Sequence, residues 1–275
     1  MPELPEVEIV AKALDAVVRG RVVNRVEFVS RMRFPFDAEQ ASRLLRGRRI
    51  AGVRRRAKYI IMDFDKSASL LAHLGMTGYF HVESAGSERH KHERVVFHLR
   101  GGDELRFADA RRFGFVKAVT LPEPGGCPDE LAHLGVEPLC RLFSARAMRE
   151  RAAARRKCPV KVFVMDQAVV VGVGNIYASE ALFAAGIDPC RPASDLSEEE
   201  WRRLVDAIKT VLRKAIRKGG STIRNYRTVD GSEGAFQRAL NVYGKAGEAC
   251  PVCGTDVKTM RQGGRSTFYC PHCQH

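Results

Sequence analysis

The chain has 275 residues, 45% of them hydrophobic, so it can bury substantial cores and is expected to divide into two domains plus a small appendage. Lysine and arginine number 46 against 32 acidic residues, giving a formal net charge of +14 that favours a polyanion such as nucleic acid as partner. A membrane partner is disfavoured, because the sequence shows neither a basic amphipathic helix nor an apolar stretch of roughly 20 residues.

The N-terminal segment combines a helical pattern with an unusual chain end. Apolar residues recur at helical spacing over about 5–19, which predicts a helix whose start presents Pro2. Removal of Met1 would turn Pro2 into a free secondary amine beside Glu3 and Glu6. Such an amine can attack a carbon centre near neutral pH and form a cationic iminium, while the carboxylates move protons. The same residues also suit an ordinary helix start.

Short β-type stretches follow this helix and end at a linker rich in proline and glycine over 121–128. Their lengths and the turns between them predict a β-sandwich. The predicted strands cover 22–29, 50–53, 59–64, 69–74, 79–82, 94–99, 104–109 and 115–120.

Helical patterns dominate the next part of the chain, from 144 to about 218. Ser197 before a run of glutamates predicts a capped helix start, and the glycines at 219–220 predict its end. An apolar stretch over 168–174 enters a glycine turn at Asn175, where another helix is predicted to begin. Exposed amides and the Asn175 side chain can hold a phosphate there, although a turn with an asparagine cap fits the pattern equally well.

The C-terminal segment carries two cysteine pairs at zinc-ribbon spacing. Cys250 and Cys253 are followed after sixteen residues by Cys270 and Cys273. Four thiolates leave no open coordination position, so we expect one structural Zn²⁺ rather than a catalytic ion. Disulfides are the alternative, which the lack of a recognisable signal peptide disfavours. The other cysteines are scattered and are expected to be reduced, as in the cytoplasm.

Seven motifs then occur in the order typical of one family. They are Pro2-Glu-Leu-Pro-Glu6, Arg55-Arg-Ala-Lys-Tyr59, His73-Leu-Gly-Met-Thr-Gly78, Asp109-Ala-Arg-Arg-Phe-Gly114, Gly172-Val-Gly-Asn-Ile-Tyr177, Asn241-Val-Tyr-Gly244 and Arg265-Ser-Thr-Phe-Tyr-Cys270. With them the chain resembles, over nearly its whole length, the bacterial formamidopyrimidine-DNA glycosylase family. This resemblance favours the catalytic interpretation of Pro2 over the simple helix start.

The resemblance implies an α+β multidomain fold. An N-terminal catalytic β-sandwich carrying the first helix would cover 1–125, a helix-two-turn-helix DNA-binding domain 135–235, and a four-cysteine zinc finger 240–275. The implied protein is a monomeric base-excision repair enzyme of the bacterial cytoplasm, associated with the nucleoid through DNA. Its substrate would be double-stranded DNA that contains 8-oxoguanine, formamidopyrimidines or abasic sites.

The same resemblance implies a mechanism and the residues that perform it. Pro2 would attack C1′ of a nucleotide extruded from the duplex, release the base and form a Schiff base that undergoes β- and then δ-elimination. Glu3 would protonate the sugar ring oxygen and serve the eliminations, while Glu6 would order the site or merely complement the helix dipole. Lys58 would contact phosphates beside the lesion and assist β-elimination, unless it belongs to a generic basic run. Arg265 would grip a phosphate and assist δ-elimination.

Further positions match the family's DNA contacts. Met76, Arg111 and Phe113 would fill the space left by the extruded nucleotide, with Arg111 bonding to the widowed cytosine and Phe113 wedging beside it. Without the resemblance, Met76 and Phe113 would be interpreted as core residues. Tyr243 is predicted to contact a phosphate or, alternatively, to pack in the interior. The remaining predicted DNA contacts are His73, His92, Arg156 and Asn175.

Recognition of the damaged base is the least defined part of the resemblance. Thr222, Arg224 and Tyr226 align with the loop that folds over the extruded base. Arg224 stands where some relatives have lysine, and the two side chains are not equivalent in planar recognition. The lesion specificity is therefore left open.

Two other functions stay compatible with parts of the sequence. An endonuclease VIII-like enzyme shares Pro2, Glu3, the helical domain and the zinc site but prefers oxidised pyrimidines; Leu4 and the Met76, Arg111 and Phe113 trio favour the purine enzyme. A non-catalytic zinc protein that only recognises damaged DNA is the second alternative. Borohydride trapping separates it from an amine catalyst, because only the catalyst leaves a covalent adduct.

Overall fold

The computed structural model describes residues 1–221 and 236–275, which form two compact units. Unit 1 contains Met1–Ala132, and the chain returns to it at 219–221. Unit 2 contains His133–Lys218 and resumes at Phe236. In these described stretches, no helix combines the length and the hydropathy that a bilayer crossing requires.

Unit 1 begins with helix α1, Leu4–Val18, within a residue of the predicted segment. Its apolar face is buried through Val7, Val10 and Leu14, in accord with the helical spacing of those residues. Glu3 is the N-cap residue, and its backbone N–H donates to a carboxylate oxygen of Glu6 at 2.8 Å. This bond is one half of a capping box and fixes both carboxylates at the helix start.

Two four-stranded antiparallel sheets follow, and all eight predicted strands are present. Their orders are β1-β6-β7-β5 and β2-β3-β4-β8. One buried apolar cluster contains side chains of α1 and of both sheets, which confirms the β-sandwich. The strands are β1 Val23–Phe28, β2 Ile50–Arg56, β3 Tyr59–Phe64, β4 Ala68–His73, β5 Gly78–Ser84, β6 Glu93–Leu99, β7 Asp103–Asp109 and β8 Phe115–Thr120.

A second helix in unit 1 has no counterpart in the sequence prediction. Helix α2, Ala38–Leu45, begins at Asp37, whose side chain accepts from the Gln40 N–H at 2.7 Å. It buries Ala41 and Leu45 in the same apolar cluster as the sheets. With only eight residues, the helix offers too short a repeat for its periodicity to stand out.

Unit 2 is helical, as the patterns predict. Its helices are α3 Ala145–Ala153, α4 Val160–Met165, α5 Asn175–Ala185 and α6 Glu198–Arg217. The predicted cap of α6 is confirmed, because the Ser197 hydroxyl oxygen accepts from the Glu200 N–H at 3.2 Å and the Glu200 carboxylate accepts from the Ser197 N–H at 2.8 Å. The helix ends before two glycines with φ of +76° and +79°, which terminate it as predicted.

The last part of unit 2 is a hairpin. Strands β9, Lys258–Gln262, and β10, Arg265–Tyr269, pair in antiparallel register around two glycines with positive φ. The cysteine pairs flank this hairpin in sequence, and β10 packs against α5. The hairpin therefore links the metal-binding cysteines to the helical part of the unit.

Candidate active site and metal centre

Pro2 is buried at the start of α1 together with two carboxylates, while Met1 before it is exposed. Glu3 and Glu6 expose only 4% and 2% of their surface. With Met1 in place, burial lowers the pKa of the terminal amine, and the negative charges of Glu3 and Glu6 oppose this shift. The net lowering enlarges the neutral fraction of the Met1 amine near pH 7, and only the neutral form of an amine is a nucleophile.

The Glu6 carboxylate accepts hydrogen bonds from the first residues of unit 1 and from the segment at 219–221 by which the chain returns to that unit. One carboxylate oxygen accepts from the Glu3 N–H, and the other accepts from the Ser221 N–H at 2.8 Å and from the Ser221 hydroxyl at 3.0 Å. The preceding Gly220 has a φ of +79°, and a Cβ there would lie 3.1 Å from the same Glu6 oxygen. Glu6 therefore orders the backbone around it, and simple complementing of the helix dipole describes only part of its role.

Lys58 lies in the tight turn between β2 and β3, next to Ala57 with a φ of +56°. The side chain is 6% exposed, unlike the solvated lysines of an ordinary basic run. Its charge lowers the pKa of the terminal amine and also that of His73, which places it near both groups. Lys58 is thus a buried cation beside the chain end.

His73 ends β4 and is only half-buried, between Tyr59 and Phe115 of the neighbouring strands. Burial, with a smaller contribution from the Lys58 charge, lowers its pKa to about 4. The ring is therefore neutral at pH 7, and its Nδ1 accepts from the Gly75 N–H at 3.1 Å. Neutral His73 offers a donor to a ligand but no positive charge.

Asp109 accepts hydrogen bonds from two loops. The loop between β4 and β5 carries Met76, and the loop between β7 and β8 carries Arg111 and Phe113. The Asp109 carboxylate is buried and accepts from the Gly114 N–H at 2.7 Å, the Arg111 N–H at 3.2 Å and the Thr77 hydroxyl. The loops touch through their backbones, since a Cβ at Gly75 would lie 2.4 Å from the Gly114 nitrogen. Only glycine permits this approach, so the position of each loop depends on the other.

The side chains at the tips of these loops point outward. Met76 and Phe113 are 39% and 37% exposed, which argues against the alternative that they are core residues. The Arg111 guanidinium lies 5.0 Å from the centroid of the Phe113 ring, within cation–π range. Two exposed apolar side chains beside an exposed arginine form a surface suited to a partner with both apolar and polar edges.

Two further predicted DNA contacts are exposed. His92 precedes β6 with a φ of +74°, and its carbonyl accepts from the Asp109 N–H at 3.0 Å. Arg156 lies in the loop between α3 and α4, where its carbonyl accepts from the Ser194 hydroxyl at 2.8 Å. Both side chains are available to a ligand.

In unit 2, Asn175 is the first residue of α5, and Gly174 occupies the cap position. The asparagine is therefore not the helix cap. Its side-chain amide donates to the Ser266 carbonyl at 2.8 Å, and its oxygen accepts from the Lys161 ammonium at 2.6 Å. Lys161 is 1% exposed and also donates to the Thr267 hydroxyl at 2.7 Å. These bonds join the start of α5 to β10, directly after Arg265.

Sequence reasoning did not identify Lys161, because it lies in a basic run with no motif of its own. A second unrecognised residue is Glu180 of α5, which is 1% exposed. Its carboxylate accepts from the backbone N–H groups of Asn241, Val242 and Tyr243 at 2.8–2.9 Å. The Tyr243 ring is half-buried and packs edge-on against Phe268, with 5.0 Å between centroids. Tyr243 thus makes the packing contact that the interior alternative predicted, and it is also exposed enough to contact a phosphate.

The cysteine cluster fits one tetrahedral zinc ion. The Sγ atoms lie 3.9 Å apart between Cys250 and Cys273 and 3.5 Å apart between Cys253 and Cys270, and all four lie within 4.8 Å of one another. Zn–S bonds of about 2.3 Å place sulfurs about 3.8 Å apart in a tetrahedron. The distances far exceed a covalent S–S bond of about 2.05 Å, so the disulfide alternative is wrong. None of the eight cysteines, all in described parts of the chain, forms a disulfide.

Arg265 is exposed at the first position of β10, where the zinc-bound segment carries it. Within unit 1 the structure brings together Pro2, Glu3, Glu6 and Lys58. Within unit 2 it brings Asn175 to the residue that follows Arg265. Thr222, Arg224 and Tyr226, the predicted base-recognition residues, lie outside the described residues.

Comparison with known proteins gives matches along most of the chain. The family model of the formamidopyrimidine-DNA glycosylase N-terminal domain matches residues 1–116. The H2TH domain model of the same enzyme matches 134–227, and a zinc finger found in FPG and IleRS matches 247–275. Formamidopyrimidine-DNA glycosylase of Pseudomonas paraeruginosa is 43% identical over 275 residues, with complete coverage of both chains. The Acidithiobacillus ferrooxidans enzyme of that name is 43% identical over 279 residues, again with complete coverage.

Solved structures match as well. The MutM (Fpg) protein of Thermus thermophilus superposes with a TM-score of 0.85 at 38% identity, over 99% of this chain and 98% of that one. A mutant of Lactococcus lactis FPG, in complex with DNA containing Fapy-dG, superposes with a TM-score of 0.89 at 32% identity over the full length of both chains. MutM in complex with DNA containing carbocyclic 8-oxo-G gives 0.87 at 32% identity, with complete coverage.

Proposed function

The chain belongs to the formamidopyrimidine-DNA glycosylase family, and from this we propose that it is a glycosylase and lyase that removes oxidised purines from double-stranded DNA. Three of the similar FPG and MutM structures are complexes with DNA that contains Fapy-dG, carbocyclic 8-oxo-G or an abasic site. The net charge of +14 suits such a polyanion. The names of these relatives favour the purine enzyme over the endonuclease VIII-like alternative.

The single observation that carries the proposal is the buried Pro2 beside two buried carboxylates and a buried lysine. After loss of Met1, the Pro2 nitrogen attacks C1′ of the extruded nucleotide, the bond from C1′ to the base breaks, and the proton lost by the amine goes to the departing base. The C1′–O4′ bond then breaks, which opens the sugar and leaves a C1′=N iminium. The resulting iminium nitrogen has no proton to lose, so it stays cationic and acidifies the hydrogen on C2′. Loss of that hydrogen expels the 3′ phosphate, and a second elimination expels the 5′ phosphate.

Glu3 is proposed as the proton carrier of these steps. Its carboxylate lies one residue from the nucleophile and is almost completely buried, so it acts with little competition from bulk water. It protonates the ring oxygen when the sugar opens and takes up the proton that elimination releases. Glu6 is already committed to three hydrogen bonds with Glu3 and Ser221, so we assign it a positioning role.

Cationic and polar groups of both units are proposed to hold the phosphates. Lys58 supplies a positive charge beside the amine in unit 1. In unit 2, Arg265 supplies a planar guanidinium, and Asn175 and Tyr243 contribute polar groups at α5 and the hairpin. His73, His92 and Arg156 are proposed as further backbone contacts.

Met76, Arg111 and Phe113 are proposed to occupy the space that the extruded nucleotide leaves. Their exposure is the supporting observation, because apolar side chains that stack between bases must be free of the protein core. Arg111 then donates to the cytosine opposite the lesion. The Asp109 contacts fix both loops before DNA arrives and so reduce the ordering that binding requires.

The zinc finger is assigned a positioning role. When bound, the ion cross-links the four thiolates and stabilises the segment that carries Arg265. It has no open coordination position, so chemistry on the sugar is left to the amine and the carboxylates. The domain division is also proposed, with a catalytic domain at 1–125, a helix-two-turn-helix domain at 135–235 and a zinc finger at 240–275. Thr222, Arg224 and Tyr226 are proposed to contact the damaged base. The protein is proposed to be a monomer of the bacterial cytoplasm.

Borohydride trapping tests the proposal. The full chain is incubated with a duplex that carries 8-oxoguanine opposite cytosine, reduced, and digested to map the modified residue by mass spectrometry. We expect one covalent adduct at Pro2 in protein that lacks Met1, and a sharp loss of strand nicking in Pro2→Gly with lesion affinity retained. Pro124→Ala, at an exposed proline in the loop after β8, is the matched control and should behave as wild type.

Three outcomes contradict the proposal. They are undiminished nicking by Pro2→Gly, an adduct mapped to another residue, and full activity in protein that retains Met1. A parallel duplex with thymine glycol separates the related enzyme classes, since faster cleavage of that duplex identifies a pyrimidine-specific enzyme. Binding of damaged DNA without any adduct identifies a non-catalytic damage-recognition protein.

A further inference from the structure

The outer face of the sheet that contains β5 carries a second group of metal-binding side chains, remote in sequence from the cysteines. His81 and Glu83 alternate along β5 and therefore lie on the same face. His90 lies in the loop that connects β5 to β6. One ligand atom from each of these residues lies within 4.8 Å of the other two.

His81 is buried without the hydrogen bonds that its ring requires. The side chain is 11% exposed, and neither Nδ1 nor Nε2 has a hydrogen-bond partner within the described residues. Nε2 lies 3.5 Å from a Glu93 oxygen, which is beyond hydrogen-bond range for this pair. A buried imidazole left in this state costs free energy unless something else binds it.

Glu93 is not available as that partner. The oxygen nearest to His81 already accepts from the Arg106 guanidinium at 2.9 Å and from the His90 N–H at 3.0 Å. Its other oxygen accepts from Arg89 at 3.2 Å. These bonds from two guanidinium groups and one backbone N–H occupy both carboxylate oxygens, so they leave the histidine nitrogens to a different ligand.

The charges around the group favour a cation. Arg106 is paired with Glu93 and Glu104, and Arg89 is paired with Glu93 and Glu27. Arg25 is also paired with Glu27, so this network contains four carboxylates, of Glu27, Glu83, Glu93 and Glu104, and three guanidinium groups. The further titratable neighbour is His98, which contacts Glu27 and Glu104 on the same face.

We propose that His81, Glu83 and His90 form a second metal site, which binds a divalent transition-metal ion such as Zn²⁺ with water completing its coordination. Two nitrogens and one carboxylate oxygen are a donor set that suits zinc and its neighbours rather than magnesium or calcium. The His90 Nε2 and a Glu83 oxygen already lie 3.2 Å apart, close to the roughly 3.4 Å between two ligands of a tetrahedral zinc ion.

The protonation state of His81 agrees with this arrangement. Burial lowers its pKa, with smaller contributions in the same direction from the neighbouring His90 and Arg106 side chains, while Glu93 and Glu83 oppose the shift. The imidazole is therefore neutral at pH 7, and the lone pair that a metal requires is present without the loss of a proton.

Metal binding would connect the loop to the sheet. His81 and Glu83 are fixed in β5, which pairs along its full length with β7, whereas His90 belongs to the exposed connection that leads to His92. An ion shared by the three residues would fix this connection to β5 at His90, three residues before β6. The site is separate from the proposed active site, so the two proposals can fail independently.

Metal stoichiometry tests this site in the full chain with its cysteine cluster loaded with zinc. After loosely bound metal has been removed, Zn²⁺ is added in a calorimetric titration, and bound zinc is counted by mass spectrometry after gel filtration. We expect one equivalent beyond the cysteine-bound ion. His90→Gln and Glu83→Gln should weaken it by at least about tenfold. Both side chains are at least partly exposed, so neither substitution endangers the fold.

His133→Gln, at an exposed histidine of unit 2, is the matched control and should retain the second equivalent. Imidazole nitrogen shifts in NMR spectra add an independent readout, because Zn²⁺ should move those of His81 and His90 and leave those of His133 in place. A wild-type chain that binds no second equivalent overturns the proposal. A second equivalent that persists unweakened in His90→Gln and Glu83→Gln overturns it as well.

Discussion

The Ser221 hydroxyl and backbone N–H both donate to one carboxylate oxygen of Glu6, at 3.0 and 2.8 Å, across 215 residues of sequence. Both residues are buried, and the other Glu6 oxygen holds the backbone of Glu3. Glu3, the proposed proton carrier, is therefore positioned through Glu6 by Ser221, a residue that follows α6 in the sequence.

Replacing Ser221 with alanine should destabilise the protein by about 1.5–3 kcal/mol, the usual range for a buried hydrogen bond to a charged group. The backbone N–H bond stays, so the fold should persist. Denaturant unfolding monitored by fluorescence measures the change. Ser84→Ala, at an exposed position, should alter stability by less than about 0.5 kcal/mol. Equal effects of the two substitutions would show that the Glu6 contact contributes nothing.

Glu3→Gln should slow base release and nicking by about 10²–10⁴-fold, because an amide cannot carry the proton. Affinity for lesion DNA should change little, since the shape of the side chain is kept. Single-turnover cleavage and a binding assay on the same duplex separate the two quantities. Glu123→Gln, in the exposed linker, provides a control for the loss of one negative charge. Equal losses of affinity and rate in Glu3→Gln would indicate a role in binding instead.

Asp109→Asn should disturb the loops that carry Met76 and Phe113. The amide has one acceptor oxygen where the carboxylate uses two, so either the Gly114 N–H or the pair from Thr77 and Arg111 loses its acceptor. We expect a stability loss of about 1–3 kcal/mol and weaker binding to lesion duplexes. Thermal unfolding and fluorescence anisotropy measure these effects. If the substitution lowered stability but left the affinity for lesion duplexes unaltered, the two loops would not be part of the DNA-binding surface.

Removal of zinc should weaken DNA binding without changing the chemistry of complexes that are already trapped. Loss of the ion frees the segment that carries Arg265 and thereby removes a phosphate contact. Titration with a chelator, with metal loss verified by mass spectrometry, should lower affinity and reduce its dependence on salt. Affinity that is unchanged after verified metal loss contradicts the positioning role.

Stability should fall with acidification between pH 6.5 and 4 partly because of His73. Its pKa is about 4 in the folded chain and 6.5 in an exposed histidine, so the unfolded state binds more protons in this window. The contribution is full above pH 6.5 and lost as the pH falls towards 4. For a partly exposed ring we expect about 2 kcal/mol.

His73→Asn should flatten the stability profile in this window, whereas His133→Gln, at an exposed histidine, should leave it unchanged. Unfolding free energies at half-unit pH intervals provide the comparison. Parallel profiles for wild type and His73→Asn would mean that the ring is not buried in its neutral form.

The repeating patterns of the sequence predicted most of the fold. Helix α1 and the cap of α6 follow from local spacing and capping chemistry, and the eight strands follow from short apolar stretches between turns. Helix α2 was missed because eight residues give barely two turns of periodicity, and its stability comes from Ala41 and Leu45 in the shared core.

The candidate site was predictable where a motif carried the chemistry, as for Pro2, Glu3 and the cysteines. Ser221, Lys161 and Glu180 were not predictable, because their roles depend on partners that are distant in sequence and have no fixed spacing. Asp109 belongs to a motif, yet its function as the acceptor for two loops depends on the backbone contact at Gly75. Long-range hydrogen bonds of this kind leave no periodic trace in the chain.

The hydrogen bonds between Glu6 and Ser221 can form only late in the synthesis of the chain. At roughly 5–20 residues per second, the ribosome needs roughly 10–40 s after making Glu6 before Ser221 exists. During that interval the nascent β-sandwich lacks both of these donors to Glu6. A polypeptide released early, before residue 221, would lack them permanently, so truncated products should be poor lyases even when their first domain has folded.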